Sequence, residues 1–170
     1  MKFLEEKTVI NESKGSELKR QMILYFTFAV CMIILNYFIQ KSNQLLIYPF
    51  MCANYGDIGL IQTFYLSTDP FIMGELIGSI AAVGITYIVK FFLDKYIVFK
   101  KSGGKLKDTS EEFAKYFVFA IITTIENIGI QFLLTNFLGT PLEISMVIAL
   151  SIGYTTKFLF DRKYVFSKEY

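Results

Sequence analysis

Four blocks of nearly continuous apolar sequence, about 22–39, 71–93, 114–135 and 142–160, restrict this chain to very few folds. Each is close to the roughly 20 residues that an α-helix needs to cross a bilayer. The apolar residues come as blocks, not as the single stripe of a helix lying on a soluble core. At 54% hydrophobic residues over 170 positions, the chain is too apolar for an ordinary soluble domain. In hydrocarbon every backbone N–H and C=O must be bonded within the segment, and for blocks of this length that means helices. The expected class is an all-α membrane protein with four transmembrane helices.

Charge supplies the orientation. Lys2, Lys7, Lys14, Lys19 and Arg20 precede the first span. Lys95, Lys100, Lys101, Lys105 and Lys107 lie between spans two and three, and Arg162, Lys163 and Lys168 follow span four. Between spans one and two there is only Lys41, and between three and four no basic residue. Basic segments stay on the cytoplasmic side, so both termini are expected inside, in a multi-pass protein of the cytoplasmic membrane. Residues 1–19 read as a cytoplasmic segment, disordered or surface-lying, with no cleavable signal. Residues 20–166 are the transmembrane domain and 167–170 a cytoplasmic tail. Residues 41–70 are apolar enough to suggest an interfacial or re-entrant piece. SGGKLKD at 102–108 reads as a flexible centre that divides the chain into halves.

Helix starts are marked by Asp69 before Pro70 and Thr140 before Pro141. Thr140 with Glu143, and Thr109 with Glu112, fit the capping-box spacing. Every proline falls outside the four blocks, which predicts unkinked spans.

The segment KFFLDKYIVF, residues 90–99, returns 67 positions later as KFLFDRKYVF, residues 157–166. Lys90 and Lys157, Phe91 and Phe158, Asp94 and Asp161, Val98 and Val165, and Phe99 and Phe166 coincide. Both copies close a block running from outside to inside, so the repeat is a parallel two-plus-two. Small residues lead into each copy at four-residue steps: Gly74, Gly78, Ala82 and Thr86, then Ser145, Ala149 and Gly153. Such stripes let helices approach closely in lipid.

Lys90 and Lys157 lie about one turn inside the cytoplasmic boundary. A lone lysine there snorkels to water. Two in register, each four residues before an aspartate on the same face, point to an anionic ligand. A phosphate could replace Asp94 or Asp161 as the lysine's partner, with Lys95 and Arg162 adding a point charge and a guanidinium fork. Glu126 lies mid-span, where a charge costs on the order of 2.5–3.5 kcal/mol. With Thr123, Thr124 and Asn127 it is a candidate for sugar binding or proton coupling. A structural hydrogen bond to a neighbouring helix is the alternative. Glu75, near the outer end of span two, joins these candidates. Histidine is absent, and no Cys or carboxylate cluster has metal-ligand spacing. No phosphate loop or nucleophile elbow occurs. Catalytic residues, metals and cofactors are therefore not expected. The basic loop lacks interleaved aromatics and reads as a topology signal, not a nucleic-acid surface.

Four spans in a chain of this length, with K/R-F-x-x-N/D-R/K-x-x-V-F closing the second and fourth, resemble the GtrA-like family over about Lys19 to Phe166. Relatives commonly have Asn at the positions of Asp94 and Asp161, and a tryptophan before Val-Phe; this chain has no Trp. The resemblance implies a non-enzymatic protein that carries polyprenyl-phosphate-linked monosaccharides across the cytoplasmic membrane, flippase-fashion, to glycosylate cell-surface polysaccharide. It also implies membrane lipid and a glycosyltransferase as partners. A second reading is a non-transporting anchor or activator of such a transferase, docking through Lys95, Arg162 and the basic loop. A third, a small cation exchanger built on Glu126, is opposed by the duplicated lysines. Four short spans leave little room for a pathway, so a homo-oligomer is expected.

Overall fold

The computed structural model describes residues 15–69, 72–101 and 106–167, together with the helical path of residues 2–14. Every regular element among them is helical. The α-helices are α1 (Lys2–Ser42), α2 (Tyr48–Tyr55), α3 (Gly59–Ile61), α4 (Met73–Leu93), α5 (Leu106–Phe137) and α6 (Leu142–Phe160). Wider π-helical turns at Asn43–Ile47, Gln62–Leu66, Asp94–Val98 and Asp161–Val165 follow α1, α3, α4 and α6. Four stretches are long and apolar enough to cross a membrane: Gly15–Tyr55, Met73–Val98, Leu106–Phe137 and Leu142–Val165. The chain is a multi-pass α-helical membrane protein. Its outward faces carry large apolar side chains such as Ile33, Ile80, Ile125 and Val147.

The first span departs most from expectation. Residues 2–19 are helical and run without a break into the apolar block, so the N-terminal segment is no coil. The helical path also continues through the first part of 41–70 as far as Tyr55. Pro49 lies within this continuous helical stretch, beyond the 22–39 block. Its ring clashes with the carbonyl four residues back, and it has no N–H to give. The π-turn at Asn43–Ile47, with Tyr48 N–H bonded to Asn43 O, absorbs that clash by widening the helix just before the proline.

Neither capping box forms as expected. Pro141 itself is the N-cap of α6, in extended conformation (ψ 143°), with no side-chain cap. Thr109 and Glu112 lie within α5, because that helix already begins at Leu106. The helix start at Pro70 and the hinge at 102–105 fall outside the described residues.

Two compact units make up the chain: residues 1–26 with 93–170, and residues 27–92. In the first, α5 packs along α6. Gly153 faces α5, where a Cβ would lie 3.5 Å from Asn127 Cβ and from Thr123 O, an ordinary contact distance. In the second, a Cβ on Gly74 would lie 2.5 Å from the Tyr48 ring, and one on Gly78 would overlap the Asn43 amide. Both small-residue stripes are buried, as their spacing predicts.

Candidate functional site

The two signature segments meet in the first unit. Each ends in a π-turn, with Phe99 N–H bonded to Asp94 O at 2.9 Å and Phe166 N–H to Asp161 O at 2.7 Å. Bonding five residues back closes each segment on the backbone of its aspartate. The Phe99 and Phe166 rings then lie face to face, centroids 4.9 Å apart at 21°. Asp94 and Asp161 are both 0% exposed.

Buried carboxylates need donors. Tyr25, from α1, donates its hydroxyl to Asp161 Oδ2 at 2.8 Å. Tyr116, from α5, donates to Asp94 Oδ2 at 2.9 Å. Lys157 Nζ lies 2.6 Å from both oxygens of Asp161 and 3.5 Å from the centre of the Tyr116 ring. The four-residue spacing of Lys157 and Asp161 thus gives a buried ion pair, and the aromatic face supplies the cation with a second partner. Burying two charges is expensive, and it is tolerated here because their hydrogen bonds are made.

Lys95 and Arg162 occupy matching positions and do different things. Lys95, 1% exposed, donates to Thr109 Oγ1 and pairs with Glu112, both at 2.8 Å. Lys101 also pairs with Glu112, at 2.8 Å. Arg162 is exposed. Lys90, half-buried in the last turn of α4, belongs to the other unit.

Farther along α5, Glu126 accepts a hydrogen bond from the Thr156 hydroxyl at 3.1 Å. Asn127 Oδ1 is buried with no hydrogen-bond partner among the described residues. Thr123 and Thr124 donate to the carbonyls of Phe119 and Ala120 on their own helix, each at 2.8 Å. Those hydroxyls are committed to backbone. Glu75 lies in the first turn of α4 in the other unit, exposed, where the helix dipole favours an acid. Outside the spanning stretches, burial pushes the Tyr65 phenol above its usual range, and its bond to Asn43 partly offsets this.

The first unit therefore gathers Lys157, Asp161, Asp94, Lys95, Glu126 and Asn127, while Lys90 and Glu75 lie in the second. Sequence reasoning missed Tyr25, Tyr116, Glu112, Thr109 and Thr156. A signal existed for three of them. Gln21 and Tyr25 recur 91 positions later as Glu112 and Tyr116. That match is out of register with the 67-residue repeat because the first half carries the longer segment between its spans.

Residues 56–166 match the family model described as GtrA/DPMS, transmembrane domain. No curated protein and no solved structure shows a significant match to the chain.

Proposed function

Since the chain belongs to the GtrA/DPMS transmembrane-domain family, we propose that it translocates a polyprenyl-phosphate-linked monosaccharide across the cytoplasmic membrane, for glycosylation of a cell-surface polymer. In this reading both termini are cytoplasmic and the halves are a parallel two-plus-two repeat. The signature segments then open on the inner leaflet, where the lipid phosphate is loaded.

One observation carries the proposal. Arg162 is exposed immediately after a buried Lys157–Asp161 pair. An arriving phosphate meets the Arg162 fork first, then displaces Asp161 as the partner of Lys157. Exchanging one anion for another keeps the buried ammonium paired, while the displaced Asp161 carboxylate needs water or a proton to replace the cation it loses. Tyr25 holds the displaced carboxylate. Thr156 adjoins Lys157 in sequence, so Glu126 and Asn127 beside it are suited to the sugar hydroxyls. Lys90 is the equivalent cation of the first half. Lys95, tied to Glu112, holds the frame. A second copy of the chain would supply the room that four spans lack.

The test is purified protein in liposomes with polyprenyl-phosphate sugars, following head-group accessibility across the bilayer. Arg162→Ala, at an exposed position, should insert and fold normally but lose most translocation. Equal rates for it and the parent overturn the phosphate-entry assignment. The exposed Arg162 and Lys163 favour one other reading, a docking face for a glycosyltransferase. No translocation by the parent, together with co-purification of a transferase, would select it.

A further inference from the structure

The second unit, residues 27–92, holds a cavity of its own, about 280 Å³. Asn43, Gln44, Tyr48, Thr68, Gly74 and Glu75 line it. Its floor is rigid. The π-turn that accommodates Pro49 begins at Asn43, whose side chain is buried against the bare backbones of Gly74 and Gly78. The Asn43 amide donates to Gly74 O at 2.7 Å and accepts from the Tyr65 hydroxyl at 2.6 Å. These two bonds fix its plane and use one of its two N–H groups and one of its two lone pairs. Tyr48 stands against Gly74, its ring centroid 6.0 Å from that of Tyr65, and forms an aromatic wall. Lys41 donates to Gln44 Oε1 at 2.9 Å, which orients the Gln44 amide.

We propose that this cavity binds one neutral hydroxylated ring, a monosaccharide head group. Its volume lies just below the range of roughly 300–1,000 Å³ that takes drug-sized ligands, so it suits a single ring. Two amides, a hydroxyl and a carboxylate supply both donors and acceptors within a lining that is otherwise apolar and includes Ile72, which matches a ring that carries hydroxyls on an apolar frame. The Tyr48 ring offers an apolar face for the C–H side of a sugar. The charged side chain in the lining is an acid, Glu75, which disfavours phosphate. Among the described residues no group of three acidic, Cys or His side chains could hold a metal.

Glu75 and Lys90 lie at opposite ends of α4, about 22 Å apart at 1.5 Å per residue. The cavity is therefore a sugar site at the far end of the span from the lysine signature. Its place in a transport path rests on the translocation reading above; its capacity to bind a sugar does not.

The test uses the full chain in nanodiscs, with the exposed Cys31 and Cys52 replaced by serine and Ile72→Cys, at an exposed apolar position of the lining, as the reporter. Maleimide labelling is timed with methyl glucoside, methyl galactoside, methyl mannoside or inorganic phosphate. At least one glycoside should slow labelling several-fold and saturably, and phosphate should not. Glu75→Ala should raise the half-protecting concentration about tenfold, the loss of one hydrogen bond to a charged acceptor. Lack of protection by every glycoside, equal protection by phosphate, or indifference to Glu75→Ala overturns the site. Lipid-linked sugar translocation is measured on the same protein. Protection without translocation leaves this site standing and removes the translocation reading; translocation without protection removes this site alone.

Discussion

Replacing Lys157 with methionine separates what the buried ion pair does for stability from what it does for a ligand. In the parent, Lys157 Nζ is 2.6 Å from Asp161 Oδ2, with side-chain exposures of 8% and 0%. Lys157→Met leaves Asp161 charged, dehydrated and held only by Tyr25, at a cost of about 3–5 kcal/mol. Asp161→Asn should cost less. The ammonium keeps the Tyr116 ring at 3.5 Å, a contact worth about 2 kcal/mol when desolvated. Removing the whole group, with Lys157→Met, Asp161→Leu and Tyr25→Phe together, strands no charge or hydroxyl. Its stability should return close to the parent's. Equilibrium unfolding in micelles gives the order parent, triple, Asp161→Asn, Lys157→Met. Translocation in liposomes gives a different order, with the triple variant as inactive as Lys157→Met. A triple variant that transports at the parental rate would refute the phosphate role. Equal destabilisation by the two single variants would refute the ring's contribution.

The other predictions concern the groups around that pair. Tyr116→Phe keeps the ring over Lys157 but removes the donor to buried Asp94, and should lower unfolding stability by about 1.5–3 kcal/mol. Glu112→Gln leaves Lys95 buried without its anion and unpins Lys101, a loss of about 3 kcal/mol, with faster proteolysis between α4 and α5 as a second readout. Gln21→Glu gives Arg162 an anion where the repeat gives Lys95 its Glu112. A double-mutant cycle with Arg162→Ala should show coupling of about 1 kcal/mol or more, and translocation should slow. Additive effects would discard that correspondence.

The class of fold was legible because blocks of bilayer length leave no alternative to helices, and both small-residue stripes were legible because close packing in lipid demands small side chains. Local chemistry was harder to read. That the helix carries on past the 22–39 block was not legible, because sequence gives no warning that a π-turn can carry Pro49 within a continuous helical path. Thr109 and Glu112 looked like a cap; only the folded chain puts Lys95 beside them and turns them into its ligands. Of the site, Lys157 and Asp161 followed from their spacing within one helix. The tyrosines that hold the aspartates come from other helices and carry no local signature. Glu126 was marked by the cost of its depth, while its partner Thr156 is an ordinary residue in an apolar run.

The duplication explains why one copy of the signature is closed and the other open. In the half-site of Asp94, Tyr116 caps the aspartate and Glu112, one turn earlier on the same helix, neutralises Lys95. In the half-site of Asp161, Tyr25 caps the aspartate, and the residue one turn earlier is Gln21. Gln21 is buried and its Oε1 has no hydrogen-bond partner among the described residues. Where Glu112 is an acid Gln21 is a neutral amide, and where Lys95 is buried Arg162 is exposed. Both partners of Lys95, Thr109 and Glu112, have non-acidic counterparts in the other frame, Leu18 and Gln21, and the cation itself changes from Lys95 to Arg162. One of the two matching cations is thus satisfied within the chain while the other is exposed. Under the translocation reading, this asymmetry predicts that one lipid phosphate binds per chain, and Arg162→Ala should remove that binding while Lys95→Ala acts on stability.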